Sequence, residues 1–338
     1  SGTVTGLSVG GLPDGTVDEG TLATDSVTAA KIPASLEKTF VSGRKNFIIN
    51  GGFDVWQRGT TDSYSGTASY RSADRVYSNP SGGSMKFYQG VFDQDQTDVS
   101  GNPTYYGRLD VQTGADNCGI HFKLEDHKIA ANRNVTLSFW AKSATARVLD
   151  VVLQSQGSTT SVTPTAQTFT ATSSWVRYSF TFNLGSISAV AGTKYTRIMI
   201  SQGSSTSTSA WLLDIANVQL EVGSTATDFE QRSYGEELAL CRRYYQAHQI
   251  INHTPFCVDW GAGDRNTNMR GTFHFDVEMR AAPTQGFTGS CGWYEVNNDT
   301  NAPQALHFSK NIMAGYNDQG VNIFGDSTDD TITFSAEL

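Results

Sequence analysis

The chain has 338 residues and a formal net charge of −9; only 17% of its residues are charged, glycine reaches 33 residues and aromatics 11%. That length holds two globular domains and an extension, and the glycine- and aromatic-rich profile suits β packing with broad polar turns better than helix bundles. An acidic chain repels nucleic acid and anionic membrane, which argues against both as partners. No stretch approaches the roughly 18 apolar residues of a membrane span, which argues against insertion. The chain opens on Ser1 with no signal peptide and reads as a fragment or a processed product. Cys118, Cys241, Cys257 and Cys291 show no CxxC spacing and read as free thiols of a protein assembled in a reducing cytoplasm rather than as a disulfide framework.

Leu7, Leu12, Val17, Leu22, Val27 and Ile32 fall at intervals of five, with Gly, Asp, Thr, Ser and Ala between them. That period is neither the roughly 3.6 of a helix nor the about 2 of a strand. It marks a turn-rich repeat whose single apolar residue per unit cannot bury itself. A shaft in which three chains set their apolar rows on a common axis solves that burial problem; a disordered linker or a solenoid cap are the competing readings. Pro33 ends the pattern, so residues 1–34 are assigned to the repeat and 35–45 to a linker.

From Asn46 the texture changes to alternation. The segments 135–141, 148–153, 175–182, 195–200 and 211–215 read as strands, separated by Gly/Ser/Thr-rich turns such as 157–161 and 202–206. Many strands with polar turns predict a two-sheet sandwich over 46–232. Trp140, Trp175, Trp211 and Trp56 read as core residues, and Tyr64, Tyr70, Tyr88, Tyr105 and Tyr106, in polar surroundings, are better candidates for an exposed stacking platform. Residues 233–247 are predicted as the one linking helix, with Ser233 as N-cap, Glu236 closing a capping box, and Arg242 and Arg243 at the C-terminal end. Beyond it, 272–284, 292–296, 305–308 and 331–335 predict a C-terminal β domain over 248–338.

Several of these segments resemble one family. Asn46-Phe47-Ile48-Ile49-Asn50-Gly51-Gly52-Phe53-Asp54-Val55-Trp56-Gln57-Arg58-Gly59, Ala73-Asp74-Arg75, Asn217-Val218-Gln219-Leu220-Glu221-Val222-Gly223 and Asp228-Phe229-Glu230 resemble, in that order, a sandwich domain of bacteriophage tail-fibre and virion fibre proteins. The stretch 26–32 looks like tail-fibre shaft segments, and the Glu-Leu-x-x-Cys-x-Arg-Tyr-Tyr-type helix and the Met279-Arg280-x-x-Pro283 strand resemble that family's C-terminal parts. The resemblance implies a mainly β, trimeric fibre: repetitive shaft, central jelly-roll β-sandwich, linking helix and a C-terminal β domain at the distal tip. It further implies a place in the virion as a tail fibre, contact with other virion proteins through the N-terminal end, and non-enzymatic attachment to a host receptor, most naturally a glycan. Trp260, Trp293, Tyr294 and Tyr316 are then the candidate receptor contacts, with core or trimer interface as the alternative. The opening and closing strands are also similar to jelly-roll carbohydrate-binding modules, which implies a structural calcium at Asp54 and Asp214; the plain alternative is a turn cap and a backbone bond.

The sequence shows no Gly-x-Ser-x-Gly, HExxH, Walker or GxGxxG pattern. His121 and His127 flank Lys123-Leu124-Glu125-Asp126, which reads as a solvated charged turn before it reads as a metal or acid/base site. Two alternatives to a receptor-binding fibre stay open: a purely structural virion part such as a head fibre, and a glycan depolymerase whose paired carboxylates come from distant strands.

Overall fold

A computed structural model describes residues 44–157, 161–163, 166–187, 192–203, 208–249, 269–288, 292–295, 305–308, 310, 312–317, 321–324 and 331–338. The chain divides into two compact units, Ser1–Lys45 and Asn46–Leu338. Apart from Arg44 and Lys45 the first lies outside the described residues, and the pentad shaft with it.

The second unit is built on two antiparallel sheets. The first has the order β1 (Thr61–Ser65), β4 (Ser84–Val91), β5 (Tyr105–Thr113), β13 (Trp211–Val222), β7 (Val135–Lys142) and β11 (Val176–Phe182). The second has the order β10 (Gln167–Ala171), β8 (Arg147–Gln156), β12 (Tyr195–Ser201), β6 (Gly119–Leu124), β3 (Val76–Asn79) and β2 (Ser69–Tyr70), with β9 (Ser161–Val162) paired to β8. Alternation decides which face goes inward. On β4 and β5, Met85, Phe87, Leu109 and Val111 are buried while Lys86, Tyr88, Arg108 and Asp110 turn outward. Phe53, Phe87, Phe122 and Phe139 are among the large side chains fully buried in the core. The mainly β sandwich expected from the sequence is present.

The alternation in β13 breaks at a bulge between Ala216 and Gln219, where Asn217 takes φ 51°. The extra residue leaves Ile215 and Leu220 both pointing into the core. The opening segment is laid against this bulge. The Asn46 side chain accepts from the amides of Ile48 at 3.0 Å and Leu220 at 3.1 Å and donates to the Val218 carbonyl at 3.1 Å. A Cβ on Gly51 would overlap the Val218 carbonyl oxygen, so only glycine lets the two backbones meet.

The helix α1 (Tyr234–Arg242) is shorter than the 233–247 the sequence predicts. Ser233 Oγ accepts from the Glu236 amide at 3.3 Å, as the capping pattern requires. Tyr245, expected on the helix, instead opens β14 (Tyr245–Gln249), because the chain leaves the helix to pair with β21 (Thr331–Ser335). β21 also pairs with β16 (Thr284–Thr288), while β15 (Met269–His274), β19 (Ile312–Asn317) and β18 (Ala305–Phe308) form another sheet and β17 (Gly292–Glu295) pairs with β20 (Val321–Phe324).

A buried ion network ties the sandwich to β21. Arg58 donates to Asp74 at 2.9 Å and to Glu337 at 2.8 Å, and Arg75 donates to the second Glu337 oxygen. The Arg75 guanidinium lies 3.5 Å from the Tyr244 ring centre and Arg58 lies 3.6 Å from that of Tyr245. Cys118 and Cys241 are buried and free, and burial pushes the Cys118 thiol up to about 11; Cys257 and Cys291 lie where no side chain is described.

Candidate glycan-binding face

The outer face of the first sheet carries a continuous row of large polar and aromatic side chains. Strand register places Tyr88 opposite Arg108, Arg108 opposite Asp214, and Asp214 opposite Lys142. Val176 stands opposite Ala141, so the same register carried one residue on brings Trp175 beside Lys142. Five neighbouring strand positions at about 4.8 Å spacing make a row about 19 Å long.

The middle of the row is electrostatically locked. Asp214 is buried, and its two oxygens accept from Arg108 Nε at 2.5 Å and Nη2 at 2.7 Å, with Lys142 Nζ 3.8 Å away. This fork fixes the guanidinium plane. Burial, and the negative charge of Asp214 beside it, raise the Tyr106 phenol above its ordinary value and keep it a neutral donor.

Aromatic rings close over the row. Tyr106 meets Phe92 at 4.9 Å and Trp175 at 5.6 Å, both edge-on, and Phe92 lies 5.2 Å from Trp175. β5 and β11 are separated by β13 and β7, so these rings meet above the face rather than along it. Tyr106 lies across Gly90, whose Cβ would fall inside the ring. Lys142 Nζ is 5.0 Å from the Trp175 ring centre, and Arg108 is 5.4 Å from Tyr106 and 5.9 Å from Tyr88. The rings remain half-buried, presenting apolar surface beside fixed N–H donors, which is the pairing that sugar faces and hydroxyls require.

Two of the residues expected in the core belong to this face instead. Trp140 sits between inward Phe139 and Ala141 and therefore points outward, opposite Arg177, and Trp175 leads into β11 on the same side. Trp211 is buried with Nε1 donating to Gln202 at 2.8 Å, and Trp56 packs on Phe87, so the core reading holds for those two. Among the platform tyrosines, Tyr88 and Tyr106 lie here and Tyr70 belongs to the second sheet, while the side chain of Tyr64 is not described.

Asp54 and Asp214 are not brought together. Asp214 gives both oxygens to Arg108, whereas burial and the neighbouring Glu237 push Asp54 up to about 6. An arginine already neutralises one carboxylate, burial disfavours charge on the other, and no cluster of three or more metal-type ligands occurs among the described residues. This donor set does not fit calcium. Trp260 lies outside the described residues; Trp293 and Tyr294 fall on β17 and Tyr316 on β19, where only the backbone is described. Glu125 accepts from Arg243 at 3.0 Å and from the Tyr244 hydroxyl at 2.8 Å, and Asp126 accepts from the Lys128 amide at 2.8 Å. Those two carboxylates are engaged in tying the β6 turn together.

No protein-family model matches the chain, and no curated protein matches it. Among solved structures it is similar to a CBM4 module at 20% identity and TM-score 0.29, covering 52% of this chain and 99% of that one. It is similar to the N-terminal cellulose-binding domain of Cellulomonas fimi β-1,4-glucanase C at 19% identity and TM-score 0.30, covering 38% and 88%. It is also similar to the enzymatically active domain of tailspike protein 4 of bacteriophage CBA120 at 15% identity and TM-score 0.33, covering 53% of this chain and 21% of that one. Likenesses this weak do not bear on the ligand; the side chains on the sheet do.

Proposed function

We propose that this chain is a non-enzymatic virion fibre component of the bacteriophage tail-fibre type, which attaches to a host surface glycan through the outer face of its first sheet. The observation that carries the glycan reading is the row from Tyr88 through Arg108, Asp214 and Lys142 to Trp175, roofed by Tyr106 and Phe92. A saccharide lies on the rings while Arg108 and Lys142 donate to its hydroxyls; the Asp214 fork holds Arg108 in place before the ligand arrives, which lowers the ordering cost of binding. Asp214 is held as the partner of two cations, an arrangement that favours binding over acid/base work. The virion place, the trimer and the shaft rest on the ordered sequence motifs and the pentad repeat. In a trimer, three weak sites reinforce each other through avidity.

The test is binding of neutral host-surface polysaccharide by isothermal titration calorimetry, with reducing-sugar release followed in parallel. Trp175→Ala is expected to weaken binding by about tenfold, the equivalent of losing one stacked ring. Unchanged affinity in Trp175→Ala and Tyr106→Ala would remove this face as the site, and sugar release would replace attachment by depolymerisation. Native mass spectrometry of the full chain tests the trimer; a concentration-independent monomer would count against the shaft.

A further inference from the structure

The second sheet carries a different chemistry on its outer face. Register sets Lys123 on β6 directly opposite Arg197 on β12, and Arg197 opposite Gln154 on β8. Like charges directly opposite each other across a strand pair are destabilising. The chain as a whole is acidic, so two paired cations are out of keeping with its composition.

Among the described residues no side-chain carboxylate is bonded to either cation. Glu337 is the side-chain carboxylate among the described residues that bears on Lys123, and its oxygens are already taken by Arg58 and Arg75. No carboxylate among the described residues bears on Arg197 or on His121. Arg197 donates Nε and Nη2 to the single Gln154 Oε1, at 3.1 and 2.5 Å, and Nη1 has no partner among the described residues. Lys123 donates to the backbone oxygen of Leu338 at 2.9 Å.

His121 supplies the second, independent sign. It is 2% exposed and stacked on Tyr77 at 5.8 Å and 20°, yet neither ring nitrogen has a hydrogen-bond partner among the described residues. A buried imidazole left so is costly unless something polar reaches it. Lys123 Nζ sits 3.6 Å from the Tyr77 ring centre and 5.2 Å from that of Tyr195, so the same cations are bordered by half-exposed apolar rings.

We propose that this face is a second saccharide site, selective for an anionic sugar: its carboxylate or other acidic group completes Lys123, Arg197 and His121, and its ring lies against Tyr77 and Tyr195. The site differs from the first-sheet face, where Asp214 already balances Arg108 and Lys142 and the ligand is neutral. It does not depend on that face and stands if that face binds nothing.

The experiment uses the full chain and three probes: polygalacturonate, dextran sulfate and neutral dextran. Wild-type protein is expected to bind polygalacturonate with an affinity that falls as salt rises. Arg197→Gln is expected to lose about tenfold or more of it, the worth of a charge-assisted hydrogen bond, while Arg197→Lys retains part. Trp175→Ala is expected to leave it unchanged, which separates failure of this site from failure of the first. Preference for dextran sulfate over polygalacturonate, still lost in Arg197→Gln, would keep the anion site and assign its acidic group as sulfate. Equal binding of polygalacturonate by wild type and Arg197→Gln, equal binding of neutral dextran that persists in Trp175→Ala, or no binding of either anionic probe would overturn the proposal. So would a change in native mass in Arg197→Gln without a change in saccharide binding, since the cations would then serve an interface between copies.

Discussion

Asn46 and Asn50 show how single residues fix the start of the sandwich. Asn50, at φ 60°, accepts from the Val55 amide at 2.9 Å and donates to the carbonyls of Val55 at 2.8 Å and Asp74 at 2.9 Å. A short amide side chain tolerates the left-handed conformation and satisfies three buried backbone groups on two segments at once. Asp54 is the exception in this turn. Its carboxyl is pushed up to about 6, first by burial and then by Glu237. A carboxyl whose pKa is raised on folding contributes stability that is complete below its unfolded pKa and is lost as pH rises through the folded value. Asp54→Asn should therefore stabilise the chain by about 1 kcal/mol near pH 8 and give no gain near pH 3.5. Urea unfolding at the two pH values checks this; an equal gain at both would show that the charge is not the cause.

At the scale of elements, β4 and β5 make the aromatic face possible by an absence. Gly90 stands opposite Tyr106, and the missing side chain is the space into which the ring folds. Glycine inside a strand weakens it unless another group approaches closely there, as Tyr106 does. Gly90→Ala should expel the ring, separate it from Trp175 and weaken neutral-glycan binding by about tenfold, while the unfolding midpoint moves little because the residue lies near the strand end. Calorimetry beside thermal unfolding reads both; unchanged binding would show that Tyr106 need not be held there. Polar surroundings single out Tyr88, Tyr105 and Tyr106 alike, and strand alternation then turns Tyr105 away from the face that Tyr106 occupies. Trp140 and Trp175 read as core because apolar residues share their strand segments, and which residues of a strand point outward stays hidden until its partner strands are known.

For the second unit as a whole, the segments that stood out in the sequence turn out to meet. Arg58 and Asp74-Arg75 come from the opening motifs, Tyr244 and Tyr245 follow the helix, and Glu337 comes from beyond the last strand, yet all join one buried network. These motifs are cement between the sandwich and the β14–β21–β16 sheet rather than ligand contacts. Removing one member of a buried ion set strands the others. Glu337→Ala should cost about 3–5 kcal/mol, and Arg75→Met with Glu337→Leu should cost less than the sum of the two single changes. Denaturant titration of the four proteins measures the coupling; additive losses would mean the network does not act as a unit.

The β class and the capped start of α1 were legible along the chain, because they follow from local periodicity and local hydrogen bonding. The segments that belong together were also legible, as ordered motifs. Their purpose was not, since an Arg–Glu contact between residues 75 and 337 leaves no local trace. That the helix ends at Arg242, that Arg108 donates to Asp214, and that Trp175 joins Tyr106 above the sheet came from packing alone. Each of these depends on strand order and register, which bring distant residues together and which periodicity along one strand does not contain.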